Sequence, residues 1–196
     1  MFTGIVESVQ PVGILNKKED ILHVRIKKSG NWKLKLGQSI ALDGVCSTVV
    51  KVGKTFFEVE FMPETLRKTT LGFLKQGTLL NLERSVTLST ALDGHLVQGH
   101  VDAVGAILSV EVLAGKYEIR VSTPFVLKRY IAPRGAITIN GVSLTIARTT
   151  KKDFLVALIP HTLAHTNLCQ LKKGSKVNLE SDLLARYVVN ALENRK

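Results

Sequence analysis

The chain repeats itself. Displaced by 97 residues, Gln38 to Glu83 lies over Gly135 to Glu180 without a gap. Ile40, Gly44, Val45 and Thr48 fall on Ile137, Gly141, Val142 and Thr145, and Phe57, Val59, Pro63, Thr65 and Leu66 fall on Phe154, Val156, Pro160, Thr162 and Leu163. Thr69, Leu71, Leu74, Lys75 and Gly77 then meet Thr166, Leu168, Leu171, Lys172 and Gly174, and Asn81-Leu82-Glu83 returns as Asn178-Leu179-Glu180. The repeat starts match at a shift of 95, Gly4, Val6 and Glu7 over Gly99, Val101 and Asp102. Internal self-similarity of this density limits the chain to two copies of one small fold, meeting near Leu96.

Each copy reads as β. Ile21-Leu22-His23-Val24-Arg25-Ile26 and Tyr117-Glu118-Ile119-Arg120-Val121 alternate apolar with polar, as half-buried strands do. Asp43-Gly44 and Asn140-Gly141 stand between alternating apolar runs, the pattern of a two-residue hairpin turn. Pro63-Glu64-Thr65-Leu66 and Pro160-His161-Thr162-Leu163 open short helical stretches, proline being tolerated in a first turn. Some six short strands per copy predict a small closed barrel, so the expected fold class is all-β, two tandem barrels. The tail has no counterpart in the first copy. From Leu183 to Lys196, the residues Leu184, Tyr187, Val188, Ala191 and Leu192 mark one face of a helix that Asp182 or Ser181 is placed to cap. So short a helix is marginal alone. Its stripe packs either on its own chain or on sister helices of an oligomer.

Composition narrows the function classes. Apolar residues make up 45% and charged residues 22%, an ordinary globular balance. No apolar run approaches the roughly 20 residues of a membrane span, and Met1-Phe2-Thr3-Gly4-Ile5-Val6-Glu7 lacks the basic start of a signal peptide. Cys46 and Cys169 form neither a disulfide framework nor a metal-ligand spacing. A cytoplasmic protein in a reducing compartment is expected. The net charge of +11 raises nucleic acid as a partner, but Lys17, Lys18, Lys51, Lys54, Lys151, Lys152, Lys172 and Lys173 fall at predicted turns over the whole chain. The aromatics form no spaced stacking set, so neither nucleic acid nor a membrane is an expected partner.

Strand parity locates candidate chemistry. After Asn140-Gly141, Val142, Leu144 and Ile146 share one face, while Ser143 and Thr145 share the other. With the apolar face filling the barrel, Ser143 and Thr145 point out, and Cys46 and Thr48 hold the same places in the first copy. Such pairs are either ordinary strand surface or one small polar site per barrel. The junction Gly94-His95-Leu96-Val97-Gln98-Gly99-His100-Val101-Asp102 holds two histidines five apart. On a strand that odd spacing sends them to opposite faces, so no metal site is expected. One of them serves as a proton shuttle or as a structural hydrogen bonder. No phosphate loop, dinucleotide fingerprint or nucleophile elbow is present.

The segments Met1 to Glu7, Asp43-Gly44-Val45-Cys46, Met62-Pro63-Glu64-Thr65-Leu66, Gly94 to Asp102, Asn140-Gly141-Val142-Ser143-Leu144-Thr145 and Ile159-Pro160-His161-Thr162 together resemble the riboflavin synthase family, trimeric α-subunit type. The resemblance implies two lumazine-binding, six-stranded Greek-key barrels over 1–96 and 97–182, and a helix over 183–196 that gathers three chains. It implies a transferase reaction in which one 6,7-dimethyl-8-ribityllumazine gives a four-carbon unit to another. The products are riboflavin and 5-amino-6-ribitylaminouracil, and neither metal nor cofactor takes part. The site would form between the first barrel of one chain and the second of its neighbour, with lumazine synthase as a further partner.

By the same resemblance, Phe2, Thr3, Gly4, Ile5, Val6, Cys46, Ser47, Thr48, Glu60, Phe61, Met62, Pro63, Glu64 and Thr65 would bind one substrate. Gly99, His100, Val101, Arg134, Ser143, Leu144, Thr145, Ala157, Leu158, Ile159, Pro160, His161 and Thr162 would bind the other. Ser143, Cys46 or a water they hold would add to the ring, and His100 with Thr145 would move protons. Asp182 either joins them or only caps its helix. Ser47 stands where the family usually has leucine, and Asn140 where some members have aspartate. A non-catalytic lumazine or flavin carrier is the alternative on the same fold.

Overall fold

The computed structural model describes residues 1–30, 32–113 and 115–194. Strands β1 (Ser8–Lys18), β2 (Ile21–Lys27), β3 (Ser39–Leu42), β4 (Val45–Val52), β5 (Phe56–Phe61) and β6 (Leu79–Arg84) close one barrel in the order β1-β2-β5-β4-β3-β6. Strands β7 (Ala103–Leu113), β8 (Lys116–Ser122), β9 (Ala136–Ile139), β10 (Val142–Thr149), β11 (Asp153–Leu158) and β12 (Lys176–Ser181) close a second barrel with the equivalent order. All pairings are antiparallel, and closure leaves neither sheet an open edge. The ladders shift register at matching places in the two copies, at Val12/Ile14 and Ile107/Ser109 and at Val49/Lys51 and Ile146/Arg148. Such bulges bend a strand enough to turn a barrel corner.

Alternation fills each barrel. Val24, Ile26, Ile40, Leu42, Phe57, Val59, Leu80 and Leu82 are fully buried in the first. Val121, Ile137, Ile139, Phe154, Val156, Val177 and Leu179 are fully buried in the second. At about 1.5–3 kcal/mol for each large apolar side chain, this burial is the main stabilising contribution. The short helices α1 (Pro63–Lys68) and α2 (Pro160–His165) each start with proline and follow β5 and β11. Each leads into a 3₁₀ turn, Thr70–Phe73 or Asn167–Gln170. The tail helix α3 (Leu183–Glu193) is capped by Asp182, whose side chain accepts from Leu184 N. Arg195 and Lys196, included in the predicted helix, lie outside the described residues.

The barrels meet about a pseudo-two-fold axis through their hairpin turns. Asp43-Gly44 and Asn140-Gly141 adopt positive φ at both positions, as two-residue hairpin turns require. The turns lie back to back: a Cβ on Gly44 would sit 2.7 Å from Gly141 N, and one on Gly141 the same distance from Gly44 N. Asn81 Nδ2 donates to Asn140 O and Asn178 Nδ2 to Asp43 O, each at 2.9 Å. Asn167 N then donates to Asn81 Oδ1, and Thr70 N to Asn178 Oδ1. The repeated Asn-Leu-Glu tripeptide thus stitches one copy to the other. Asp43, buried here, accepts from Asn81 N and Asn167 Nδ2, and burial pushes its carboxyl up to about 7 against the pull of those donors.

Two expectations need correcting. The junction holding His95 and His100 is not a strand but an extended connection whose one β-bridge among the described residues is Phe2–Val97, so strand parity does not apply to it. Lys17, Lys18 and Lys51 lie within strands rather than in turns, because β1 and β4 extend past their apolar cores. Among the described residues, no helix is long and apolar enough to cross a membrane.

Candidate functional site

On β4 and β10 the side chains alternate as parity predicts. Val45, Ser47 and Val49 are buried, as are Val142, Leu144 and Ile146, while Cys46 and Ser143 are half-buried and Thr48 and Thr145 are exposed. Ser47 fills an inward position with a hydroxyl, which donates to its own strand at Val45 O, 3.1 Å. That internal bond meets the hydroxyl's need for a partner in an apolar interior.

The segments that begin each copy cross to the other barrel. Ser143 N donates to Gly4 O and Cys46 N to Gly99 O, both at 2.8 Å. Val6 packs against the core of the second barrel, and Val101 against that of the first. Both glycines have φ near +78°, and a Cβ would sit 2.6 Å from Ser143 Cβ at Gly4 and 2.7 Å from Cys46 Cβ at Gly99. Only glycine permits this approach. Sorting by repeat places Gly4, Ile5 and Val6 with Cys46; the chain instead sets them beside Ser143, and Gly99, His100 and Val101 beside Cys46. Phe2 is fully buried between the two groups, packed with Val97, Ala41 and Cys46.

Buried carboxylates hold these crossing segments. Glu83 accepts from Thr3 N, Thr3 Oγ1 and Gly4 N at 2.6–3.0 Å. Glu180 accepts from Gln98 N, Gly99 N and His100 N at 2.7–3.0 Å. Burial raises both carboxyls, Glu180 to about 7, outweighing the donors that favour the charged form. Neither glutamate stands out in the sequence, although the repeated Asn-Leu-Glu marks their positions.

Ser143 has a partner that sequence reasoning missed. His95 Nδ1 lies 2.7 Å from Ser143 Oγ, and His95 Nε2 lies 3.3 Å from Thr138 Oγ1. Thr138 faces Ser143 directly across the β9–β10 ladder, a register that the two-residue turn already implies. The backbone of His95 is fixed by its N–H on Thr3 O, 3.0 Å. Beside it, a Cβ on Gly94 would fall 2.1 Å from that same oxygen. Burial holds the His95 imidazole below its usual range, while the negative charge of Asp182 pulls the other way. A neutral ring with its proton on Nε2 donates to Thr138 and leaves Nδ1 to accept from the Ser143 hydroxyl. The pair can therefore deprotonate a hydroxyl or a water at that point. Among the described residues, no imidazole is hydrogen-bonded to Cys46 as His95 is to Ser143.

The remaining candidates divide by exposure. Ile5, Met62 and Ile159 expose 43%, 58% and 62% of their surfaces, forming apolar rims beside the polar pairs. Glu64, Pro63, Pro160 and His161 are exposed on α1 and α2, with Thr65 and Thr162 half-buried behind them. Phe61 and Leu158 point inward, so only their backbones face the site, while Ala157 is exposed. Glu60 is tied to His23 across the sheet, 3.2 Å, and directed toward that neighbour. Arg134 is exposed and holds φ of +67° where the first copy has Gly37 at +78°, a strained setting for a side-chain-bearing residue.

Comparison with known proteins agrees with this architecture. The Lumazine binding domain family matches twice, over residues 3–85 and 98–182. A riboflavin synthase of Actinobacillus pleuropneumoniae is 39% identical over 189 residues, 96% of this chain and 88% of that one. The Bacillus subtilis riboflavin synthase is 36% identical over 195 residues, covering 98% and 90%. Among solved structures, LumP complexed with 6,7-dimethyl-8-(1'-D-ribityl) lumazine superposes with a TM-score of 0.81 at 22% identity, over 92% of this chain and 99% of that one. LumP complexed with riboflavin gives 0.82 at 24%, with the same coverage. These two share the fold. The doubled barrel and the full-length relatives place the chain in the riboflavin synthase family, as a protein of two lumazine-binding domains.

Proposed function

We propose that the chain is a riboflavin synthase, which dismutates two molecules of 6,7-dimethyl-8-ribityllumazine into riboflavin and 5-amino-6-ribitylaminouracil. The observation that carries this reading is the pair of equivalent outward sites with different chemistry, Cys46/Thr48 under Gly99 and Ser143/Thr145 under Gly4. A reaction between two identical molecules needs two related pockets that treat them differently.

One pocket comprises Cys46, Thr48, Met62, Glu64 and Thr65 with Gly99, His100 and Val101. The other comprises Ser143, Thr145, Ile159, His161 and Thr162 with Gly4, Ile5, Val6 and His95. The working site joins the first barrel of one chain to the second barrel of another in a homotrimer. His100 of one chain then approaches Thr145 of its neighbour, which crossing within a single chain keeps apart. Face-to-face placement of both rings removes part of the bimolecular barrier, about 7–11 kcal/mol where alignment is ideal. Ser143, or a water it holds, adds to the ring as His95 accepts its proton, and Asp182 stabilises the imidazolium that forms. His100 and Thr145 carry the proton lost from the reactive methyl group.

The exposed stripe Leu184, Tyr187, Val188 and Leu192 on α3 supports the trimer, with 1–96, 97–182 and 183–196 as barrel, barrel and assembly helix. The free thiols Cys46 and Cys169 suit a cytoplasmic location. The net charge of +11 supports an association with lumazine synthase, and binding insensitive to ionic strength would count against a charge-driven contact.

The test is absorbance of the purified protein with 6,7-dimethyl-8-ribityllumazine alone. Riboflavin formation, reduced at least a hundredfold by Ser143→Ala and by His95→Gln, is expected from the size of general-base effects. Tight binding without turnover in the unmodified protein would instead establish a carrier.

A further inference from the structure

The two hairpin turns that meet on the pseudo-two-fold axis line a cleft of about 370 Å³. Small-molecule sites usually measure about 300–1,000 Å³. Its walls come from both copies in pairs 97 residues apart, among them Thr70 with Asn167, Phe73 with Gln170 and Leu74 with Leu171. The cleft therefore straddles the axis, and none of its lining residues belongs to the Cys46 or Ser143 pocket.

Asp43 and Asn140 both line this cleft while exposing only 6% and 5% of their surfaces. Each commits one side-chain atom to the barrel junction. Asp43 Oδ1 accepts from Asn81 N and Asn167 Nδ2, and Asn140 Oδ1 accepts from Asn178 N, all at 2.8 Å. The second atom of each, Oδ2 of Asp43 and Nδ2 of Asn140, has no partner among the described residues. Among those residues, the one side-chain polar atom both sealed from solvent and unpartnered is Thr123 Oγ1. Oδ2 and Nδ2 are therefore not sealed, and the cleft that both side chains line is their opening.

The difference between the sister turns decides the chemistry. Two aspartates would present two acceptors of like charge to the cleft, and two asparagines would present two donors. One of each presents an acceptor and a donor related by the axis. A ligand that satisfies both carries an N–H and a carbonyl on one rigid frame. Phe73, 71% exposed, stands beside the half-buried Leu74 and Leu171 and supplies an apolar face for a flat ring. We propose that the axial cleft binds a small planar cyclic amide or ureide, its N–H donating to Asp43 Oδ2 and its carbonyl accepting from Asn140 Nδ2. Asp43 accepts in its ionised form, which prevails above its raised value of about 7.

The experiment is an NMR titration of the isotope-labelled full chain with uracil at pH 8. Lumazine is left out, so that failure of this proposal is distinct from failure of the catalytic reading. Saturable shifts are expected at the backbone amides of Thr70 and Gln170, and 1,3-dimethyluracil, which has no N–H, should not produce them. Asp43→Asn and Asn140→Asp should each weaken uracil at least tenfold, because each sets like against like at one end of the ring. Each installs the residue that the sister turn already carries, and circular dichroism verifies that the fold is kept. Phe73→Ala removes an exposed side chain and should weaken uracil severalfold with the fold untouched. Absence of saturable shifts in the unmodified chain, or uracil binding that Asp43→Asn and Asn140→Asp leave unchanged, would overturn the proposal.

Discussion

Replacing Asp43 by asparagine, the residue its sister turn carries as Asn140, isolates one ionisation at the junction of the barrels. The acceptor Oδ1 is retained, so the bonds from Asn81 N and Asn167 Nδ2 persist. What disappears is the charge. Burial moves the wild-type carboxyl from an ordinary 3.8 to about 7 in the folded chain. A raised carboxyl binds its proton more tightly when folded, so its contribution is fully present below pH 3.8 and is lost as pH rises through 7. The span corresponds to about 4 kcal/mol at about 1.4 kcal/mol per pH unit, and roughly 3 kcal/mol of it falls between pH 5 and 8. Glu83 and Glu180 titrate in both proteins and cancel in the difference. Urea unfolding of wild type and Asp43→Asn at pH 5, 6, 7 and 8 should show the variant gaining on wild type with pH, then levelling above 7. Parallel stability curves would refute the assignment, because they would mean that Asp43 ionises in the folded chain as easily as in the unfolded one.

Three further outcomes follow from the geometry. Gly94→Ala drives a methyl toward Thr3 O and Ser143, so differential scanning calorimetry should show a loss of about 3 kcal/mol or more, roughly 2–4 °C of melting temperature per kcal/mol. An unchanged melting point would show that the junction yields freely. Phe57→Ala empties the centre of the first barrel and should cost about 3–5 kcal/mol in urea unfolding, with a smaller loss meaning that the barrel collapses around the gap. Leu184→Glu puts a charge in the exposed stripe of α3, and light scattering should then report the 21.5 kDa chain mass in place of that of the proposed trimer. A trimer that survives would move the assembly surface off that helix.

Much of the fold is legible because its signals are local. Asp43-Gly44 and Asn140-Gly141 dictate two-residue turns, the turns set register, and register decides that Cys46 and Ser143 face outward. Thr138 follows from the same register, directly opposite Ser143. The crossing of Gly4 to Ser143 and of Gly99 to Cys46 is of another kind. It depends on how two finished barrels dock, and no period or turn within either repeat encodes that. For the same reason the duties of Glu83 and Glu180 are invisible in sequence, where only the repeated Asn-Leu-Glu marks their positions. His95 sits in a run that attracts attention, yet its partner lies 48 residues away and across the barrel junction.

The single covalent connection between the copies has a lasting effect. The linker between two such halves can lie against only one of the two sites, and the group it carries, His95, lies against Ser143. Symmetry is broken by connectivity before any strand residue differs. After such a fusion the two pockets are free to diverge in role, one tuned by the linker and the other by its own strands, while the shared core keeps them in matched positions.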